Sequence, residues 1–398
     1  MAARVCPYCY EGSHHSKLPD AKICGVQWYI SRTYPSPDGG VDNMGESIQS
    51  RTQQESHRGQ FSPRSALKDG KLTIFLKHWH GLTMRTAPFS DGTPLVSQWP
   101  IPPGHFFDYE MHPDVGDAGT YFYHSHEGFQ AVTAHGPLIV HDVSSPPYQY
   151  DDEIPITIGD WYTKTDSQIE SALTSKYFSW PGTPESLVVN GKSGTELVED
   201  GSGDSCGMSI ITVKPETTYR IRWTSTAALA YAIVNIEDHT NLTIIEADGR
   251  YTKPAQTDHV QLGSGQRFSS LLTTKCRSEL DADGKGGQYW INYRTPDGPA
   301  GYLTGKALLK YDIGNSSLDY MSPLLIKRSR HHKHPSAPPH DHVPGKPDVS
   351  VNDTLTTWLE YKLESLDTRH FPTISEVTRV LQINVTMDVE RNGLLKFQ

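Results

Sequence analysis

Two stretches decide how this sequence is read: Lys77-His78-Trp79-His80-Gly81-Leu82 and Tyr121-Phe122-Tyr123-His124-Ser125-His126. Each is a His-x-His inside an aromatic, strand-like run. Side chains of a strand alternate faces with period two. His78 and His80 therefore leave one face together, and Trp79 leaves the other. His124 and His126 do the same around Ser125. A single His-x-His in a strand is most often a solvated polar face. Two in one chain, both in Trp/Tyr/Phe runs, point to imidazoles gathered around metal. Neutral imidazole suits copper, zinc, iron and nickel, and copper binds most tightly of the common divalent ions.

The surroundings of both motifs read as strands and turns. Lys71-Leu72-Thr73-Ile74-Phe75-Leu76-Lys77 alternates and runs straight into His78. Asp91-Gly92 marks a turn, Phe106–Glu110 a strand, and Gly119-Thr120-Tyr121-Phe122-Tyr123 leads into His124. A strand at Gly136–Val140 follows, and Pro146-Pro147 ends this first unit near residue 148. The second unit opens with a strand over Ile154–Tyr162. Thr165-x-x-Gln168 is a capping box, and Ile169 and Leu173 stand at i and i+4, so a short helix is expected there. Strands then recur at Ser209–Val213, Thr218–Trp223, Ala232–Ile236, Leu242–Glu246, Phe268–Thr273, Tyr289–Tyr293 and Ala307–Tyr311. Short strands at this spacing mean a sandwich or barrel.

The flanks are different. Residues 1–59 show no periodicity and read as an irregular segment. Residues 314–350 form a Pro- and His-rich linker around Arg330-His331-His332-Lys333-His334-Pro335 and His340-Asp341-His342. A solvated linker is favoured over a metal site there, because selective binding needs preorganised ligands. Beyond it, Trp358-Leu359-Glu360-Tyr361 is expected to pack against something, and Thr378–Thr386 is strand-like.

Composition narrows the function classes. The chain has 398 residues, enough for two or three domains. A formal net charge of −10 argues against nucleic acid as a partner. No apolar run approaches the ~20 residues of a membrane span, and no partner protein is inferable. Met1–Cys9 has no apolar h-region, so it does not read as a secretory signal. The body reads otherwise: Asn241, Asn315, Asn352 and Asn384 all stand in Asn-x-Ser/Thr sequons, as in a glycoprotein of a secreted lineage. Five cysteines are an odd number. Cys206 and Cys276 could pair in an oxidising compartment. Cys6-Pro7-Tyr8-Cys9 has the form of a dithiol motif without the strand and helix that motif needs, and a zinc knuckle with His14, His15 and Cys24 lacks a standard spacing.

With these residues in view, the chain resembles the multicopper oxidases, the group of laccases, ascorbate oxidases and fungal pigment or iron oxidases. His78-Trp79-His80-Gly81 and His124-Ser125-His126 resemble its first two copper signatures. Asp91-Gly92, Gln98–Gly104, Asp160-Trp161-Tyr162, Val189–Lys192 and Ile244–Gly249 agree with it, from about Gly59 onward. The resemblance implies an all-β protein of tandem cupredoxin-like Greek-key sandwiches. Residues 60–148 would be the first domain, 149–313 the second, and 351–398 the start of an incomplete third. It implies copper as cofactor, with His78 as a type 2 ligand and His80, His124 and His126 as type 3 ligands. It implies a small-molecule reductant, phenolic or similar, oxidised one electron at a time while O2 is reduced to water. Asp91 matches a carboxylate near the cluster that helps supply protons; by itself it is a turn Asp before Gly. By family and sequons, a secreted or cell-wall location is expected.

The sequence also departs from the family. His-Pro-x-His-x-His and His-Cys-His are absent, and none of the five cysteines is flanked by His. The type 1 copper thiolate and the third-domain ligands are thus missing. The family has a polar turn between the Ile74-Phe75-Leu76 strand and the His-Trp-His strand, and here the two are fused. A shortened or misassembled gene would give these departures. So would a copper-binding relative that is catalytically incompetent, the alternative to an active oxidase.

Overall fold

A computed structural model describes residues 76–101, 107–142 except 112, 114 and 133, 145–192, 208–296, 303–314, 358–367 and 373–383. It adds the backbone of short strands at 23–25, 58–61, 67–68, 71–72, 387–389 and 395–397. Expectations for Cys6, Cys9, Cys206, the linker at 315–350, Asn315, Asn352 and Asn384 lie outside the described residues, as does the side chain of Cys24.

The elements of the first half run β1 (Ile23–Gly25), β2 (Arg58–Phe61), β3 (Leu67–Lys68), β4 (Lys71–Leu72), β5 (Lys77–His80), β6 (Phe107–Glu110), β7 (Gly119–Ser125) and β8 (His135–Val140). Four form one sheet in the order β1-β8-β7-β5, and β2 pairs with β6. Trp79, Leu82, Ile101, Tyr109, Tyr121, Leu138 and Val140 bury one face of it.

The second half is larger. It runs β9 (Asp152–Trp161), α1 (Asp166–Thr174), β10 (Ser186–Val189), β11 (Ile210–Val213), β12 (Thr218–Ser225), β13 (Ala232–Ile236) and β14 (Leu242–Ala247). It continues through β15 (Arg250–Thr257), β16 (Val260–Leu262), β17 (Arg267–Thr273), α2 (Arg277–Asp283), β18 (Gln288–Arg294) and β19 (Thr304–Tyr311). A six-stranded sheet in the order β10-β9-β12-β17-β14-β15 faces a five-stranded sheet in the order β11-β19-β18-β13-β16. Ile156, Ile158 and Trp223 from the one meet Val234, Ile291 and Leu309 from the other in a common core. Alternating inward residues on two facing sheets are what a sandwich requires. Residues 358–366 lie across this unit. Leu359 is buried and its N–H donates to Gln261 Oε1, while Trp358 stands 5.6 Å from the Tyr231 ring. Two short strands, β20 (Met387–Val389) and β21 (Leu395–Phe397), pair with each other near the end.

The sequence reading of α1 matches: Thr165 caps the helix and Gln168 completes the box. Three other readings need correction. The segment 1–59 is not wholly irregular, because Ile23–Gly25 pairs antiparallel with β8 and Arg58–Phe61 spans its end. Three residues are too few to show a period, and the partner edge alone supplies the ladder. Lys71–His80 is not one strand among the described residues. Lys68 and Lys71 pair across Asp69-Gly70, a two-residue hairpin signal, before β5 begins at Lys77. Thr378–Ile383 is exposed and carries no strand, since its Val and Thr content finds no ladder there. Helix α2 escaped the sequence reading, because its box is Cys276 with Glu279, and Cys is not a favoured cap residue.

Candidate metal centre

The site is made by the pairing of β5 with β7. The two strands are antiparallel, with His78 opposite His124 and His80 opposite Phe122. Period two then places the imidazoles on one face and Lys77 and Trp79 on the other. Trp79 is buried against Tyr109, and the Lys77 Nζ stands 3.7 Å from the Tyr123 ring centroid.

The four rings stand together. Ring centroids are 5.6 Å apart for His78 and His80, 5.3 Å for His78 and His124, 5.4 Å for His80 and His124, 5.4 Å for His78 and His126, and 5.5 Å for His124 and His126. One nitrogen each from His78, His80 and His124 lies within 4.8 Å of the others. Hydrogen bonds orient the rings. His78 Nδ1 donates to the Asp91 carbonyl at 2.7 Å, and His124 Nδ1 donates to the Ser125 carbonyl at 2.7 Å; in each the acceptor fixes the tautomer. Both therefore turn a bare Nε2 outward. His80 Nδ1 stands 3.2 Å from His124 Nε2.

Burial keeps three of these rings, His78, His80 and His124, neutral. Burial pushes the His80 imidazolium down to about 3, assisted by the Arg267 guanidinium. Burial takes His124 down to about 4 and lowers His78 as well. A cluster of uncharged imidazoles with lone pairs converging is the donor set that copper takes. The residues present therefore fit the metal that the sequence suggests.

Asp91 comes to the site, but mainly through its backbone. Its carbonyl holds His78, while its Oδ1 lies 3.4 Å from the same nitrogen and its Oδ2 accepts from Thr93 Oγ1. Gly92, at φ +76°, lets this turn press on β5: a Cβ there would collide with the Lys77 carbonyl.

Several residues of the site had escaped the sequence reading. Gly81, at φ +90°, is packed against the Arg267 guanidinium, and Gly265 against the His80 ring. Ser125 is buried and donates to Gln130 Oε1 at 2.7 Å, which steadies the strand between His124 and His126. No local pattern reveals these contacts. Gly263-Ser264-Gly265, a turn-like run before a strand, is the one local signal that could point to Gly265.

The first unit is also bolted to the second. Thr120, four residues before His124, donates from its N–H and Oγ1 to Glu246 at 2.5 and 2.8 Å, and its carbonyl accepts from Arg267 Nε at 3.1 Å. Arg220 and Arg222 flank Glu246. Burial raises the Glu246 carboxyl, and the two guanidinium groups more than reverse this, holding it down to about 2.

Sandwiches of this kind define an all-β protein of the cupredoxin class. The multicopper oxidase family matches residues 72–145 and again 152–312. The chain is 45% identical over 336 residues to the multicopper oxidase aurL2 of Gibberella zeae, covering 83% of this chain and 52% of that protein. It is 40% identical over 329 residues to the multicopper oxidase terE of Aspergillus terreus, covering 80% and 56%. The crystal structure of Fet3p, a multicopper oxidase that functions in iron import, superposes with a TM-score of 0.61 at 23% identity, over 86% of this chain and 55% of that one, and supports the fold. The chain belongs to the multicopper oxidase family. It spans about half the length of these curated relatives.

Proposed function

We propose that this chain carries half of a multinuclear copper centre belonging to an oxidase that acts on phenolic or similar small molecules with O2 as acceptor. One observation carries the reading: His78, His80, His124 and His126 gather their rings at one end of the β5–β7 pair, and burial holds the first three neutral. By the family pattern His78 would hold a type 2 copper, and His80, His124 and His126 a type 3 pair. Copper bound there supplies one-electron redox chemistry. The chain's own contributions are physical. Asp91 and Ser125 present the lone pairs of His78 and His124 through their carbonyls. The buried sheet keeps the rings rigid. The Asp91 carboxylate, beside His78, is the group we assign to proton supply. The domains read from the sequence, 60–148 and 149–313, are proposed as the two cupredoxin units.

A second reading is supported by the cysteines: none in this sequence is flanked by His, so no thiolate ligand of the type 1 kind is offered. In that reading the chain binds copper without turning over a reductant. Copper titration of the purified chain, followed by electron paramagnetic resonance and absorption, distinguishes the two. Expected are a nitrogen-coordinated Cu2+ signal lost in a His78→Ala/His126→Ala double variant, and no intense blue thiolate band. Unchanged copper content in the double variant sinks the site. A blue band with oxidation of a phenol would rule out the second reading.

A further inference from the structure

The His80 ring is bounded on one side by main chain from the second unit. Gly265 has φ +78°, and a Cβ there would lie 2.7 Å from both Cε1 and Nε2 of His80. Only glycine fits at this approach. The Nε2 edge is thereby walled off, and Nδ1 is turned toward His124 Nε2.

What holds Gly265 there is Arg267. Its Nη1 donates to the Gly265 carbonyl at 2.9 Å and stands 3.0 Å from Asp248 Oδ1, which also accepts from the Arg267 N–H. Its Nε donates to the Thr120 carbonyl on β7, the strand that carries His124. Its guanidinium lies on Gly81, the residue after His80, at 5.6 Å from the Tyr121 ring centroid. The side chain is 4% exposed. One planar fork thus joins the loop that walls His80, the strand that carries His124 and the turn that follows His80.

We propose that Arg267, acting through Gly265, is a positioning residue that fixes the orientation of the His80 ring within the histidine cluster. The inference rests on the copper reading above. Its sign separates it from a charge effect. A buried guanidinium beside a metal site repels a bound cation. If Arg267 acted by charge alone, removing it would tighten copper binding. Acting by position, its loss weakens binding. Lysine cannot replace it, since an ammonium has no bidentate fork.

The test titrates Cu2+ into the full chain, with ring coordination read by electron spin-echo modulation from the remote imidazole nitrogen. Arg267→Lys and Arg267→Met are each expected to weaken copper binding about 10-fold or more, in the range seen when groups supporting a metal ligand are lost, and to change the modulation. Tighter binding in Arg267→Met, or unchanged binding in both, overturns the proposal. Asp248→Asn keeps the turn and removes the carboxylate partner. It gives the same reading should the Arg267 variants fail to fold: weaker copper binding supports the proposal, and wild-type binding overturns it. If the wild-type chain takes up no copper, the copper reading itself has failed. The positioning claim is then read without metal, from the ring tautomers in 15N-histidine spectra. A His80 tautomer that becomes mixed in Asp248→Asn or Arg267→Met supports it, and a wild-type pattern overturns it.

Discussion

The two halves of this molecule solve the problem of burial differently. The second unit closes on itself: two sheets face each other, and Trp223, Ile158, Val234 and Leu309 fill the space between them. Among the described residues, the first unit is a four-stranded sheet with the β2–β6 pair beside it, buried around Trp79, Tyr109, Tyr121 and Leu138, and the other face of β5 and β7 carries the imidazoles. It leans on its neighbour, with Thr120 gripped by Glu246 and Arg267, and Gly119 pressed against Gly249. The lesson is that the histidine face is held from two sides: by the Asp91 and Ser125 carbonyls of its own unit, and by contacts on β7 and His80 from the unit that carries none of those histidines.

The bluntest way to break this contrast is Trp223→Ala. This residue is fully buried and its indole N–H donates to Ser270. A loss of about 3–5 kcal/mol is expected, as for large-to-small changes in a core. Urea denaturation should show the first unit losing structure with the second. Survival of the first unit alone would contradict its dependence.

Glu246→Gln comes next. It leaves Arg220 and Arg222 short of their buried counter-charge, and a loss of about 3 kcal/mol follows for a buried pair broken on one side. The pH dependence has a definite sign. The folded carboxyl is depressed to about 2, against an ordinary value of 4.5. Its stabilisation is therefore fully present above about 4.5 and is lost as pH falls through about 2. Urea midpoints should fall for the wild type across that window, with a shallower fall in Glu246→Gln. Equal slopes would remove Glu246 from the account.

Gly119→Ala probes the seam. A Cβ there would meet Gly249 Cα at 2.7 Å, which is backbone and yields little. A loss of about 1–3 kcal/mol is expected from overpacking, with hydrogen exchange faster in β7 than in β18. Uniform exchange would argue against a seam that matters locally. The smallest effect is Thr165→Ala, which removes the α1 cap at about 1 kcal/mol. Copper binding should be untouched, and a change there would link a remote helix to the site.

How much of this was legible follows from where each determinant lies in the chain. The His-x-His faces and most strands of the second unit rest on alternation, which is local, so His78, His80, His124 and His126 could be paired before any coordinates. The Thr165 box is local too. Gly265 and Arg267 are not: each acts on a residue far away in sequence, and nothing beside them says which. β1 was hidden for a related reason, since Ile23–Gly25 is a strand only because β8 offers an edge. Asp91 was found as a side chain, yet its closest contact with His78 is through its main-chain carbonyl, which sequence reading does not distinguish between residue types.

That last contact has an evolutionary consequence. A peptide carbonyl survives any substitution at position 91, so the acceptor that orients His78 cannot be mutated away there. Gly92, whose φ +76° and missing Cβ let the turn reach the strand, bears that constraint instead. Replacing the side chain at position 91 therefore leaves the acceptor for the His78 ring in place.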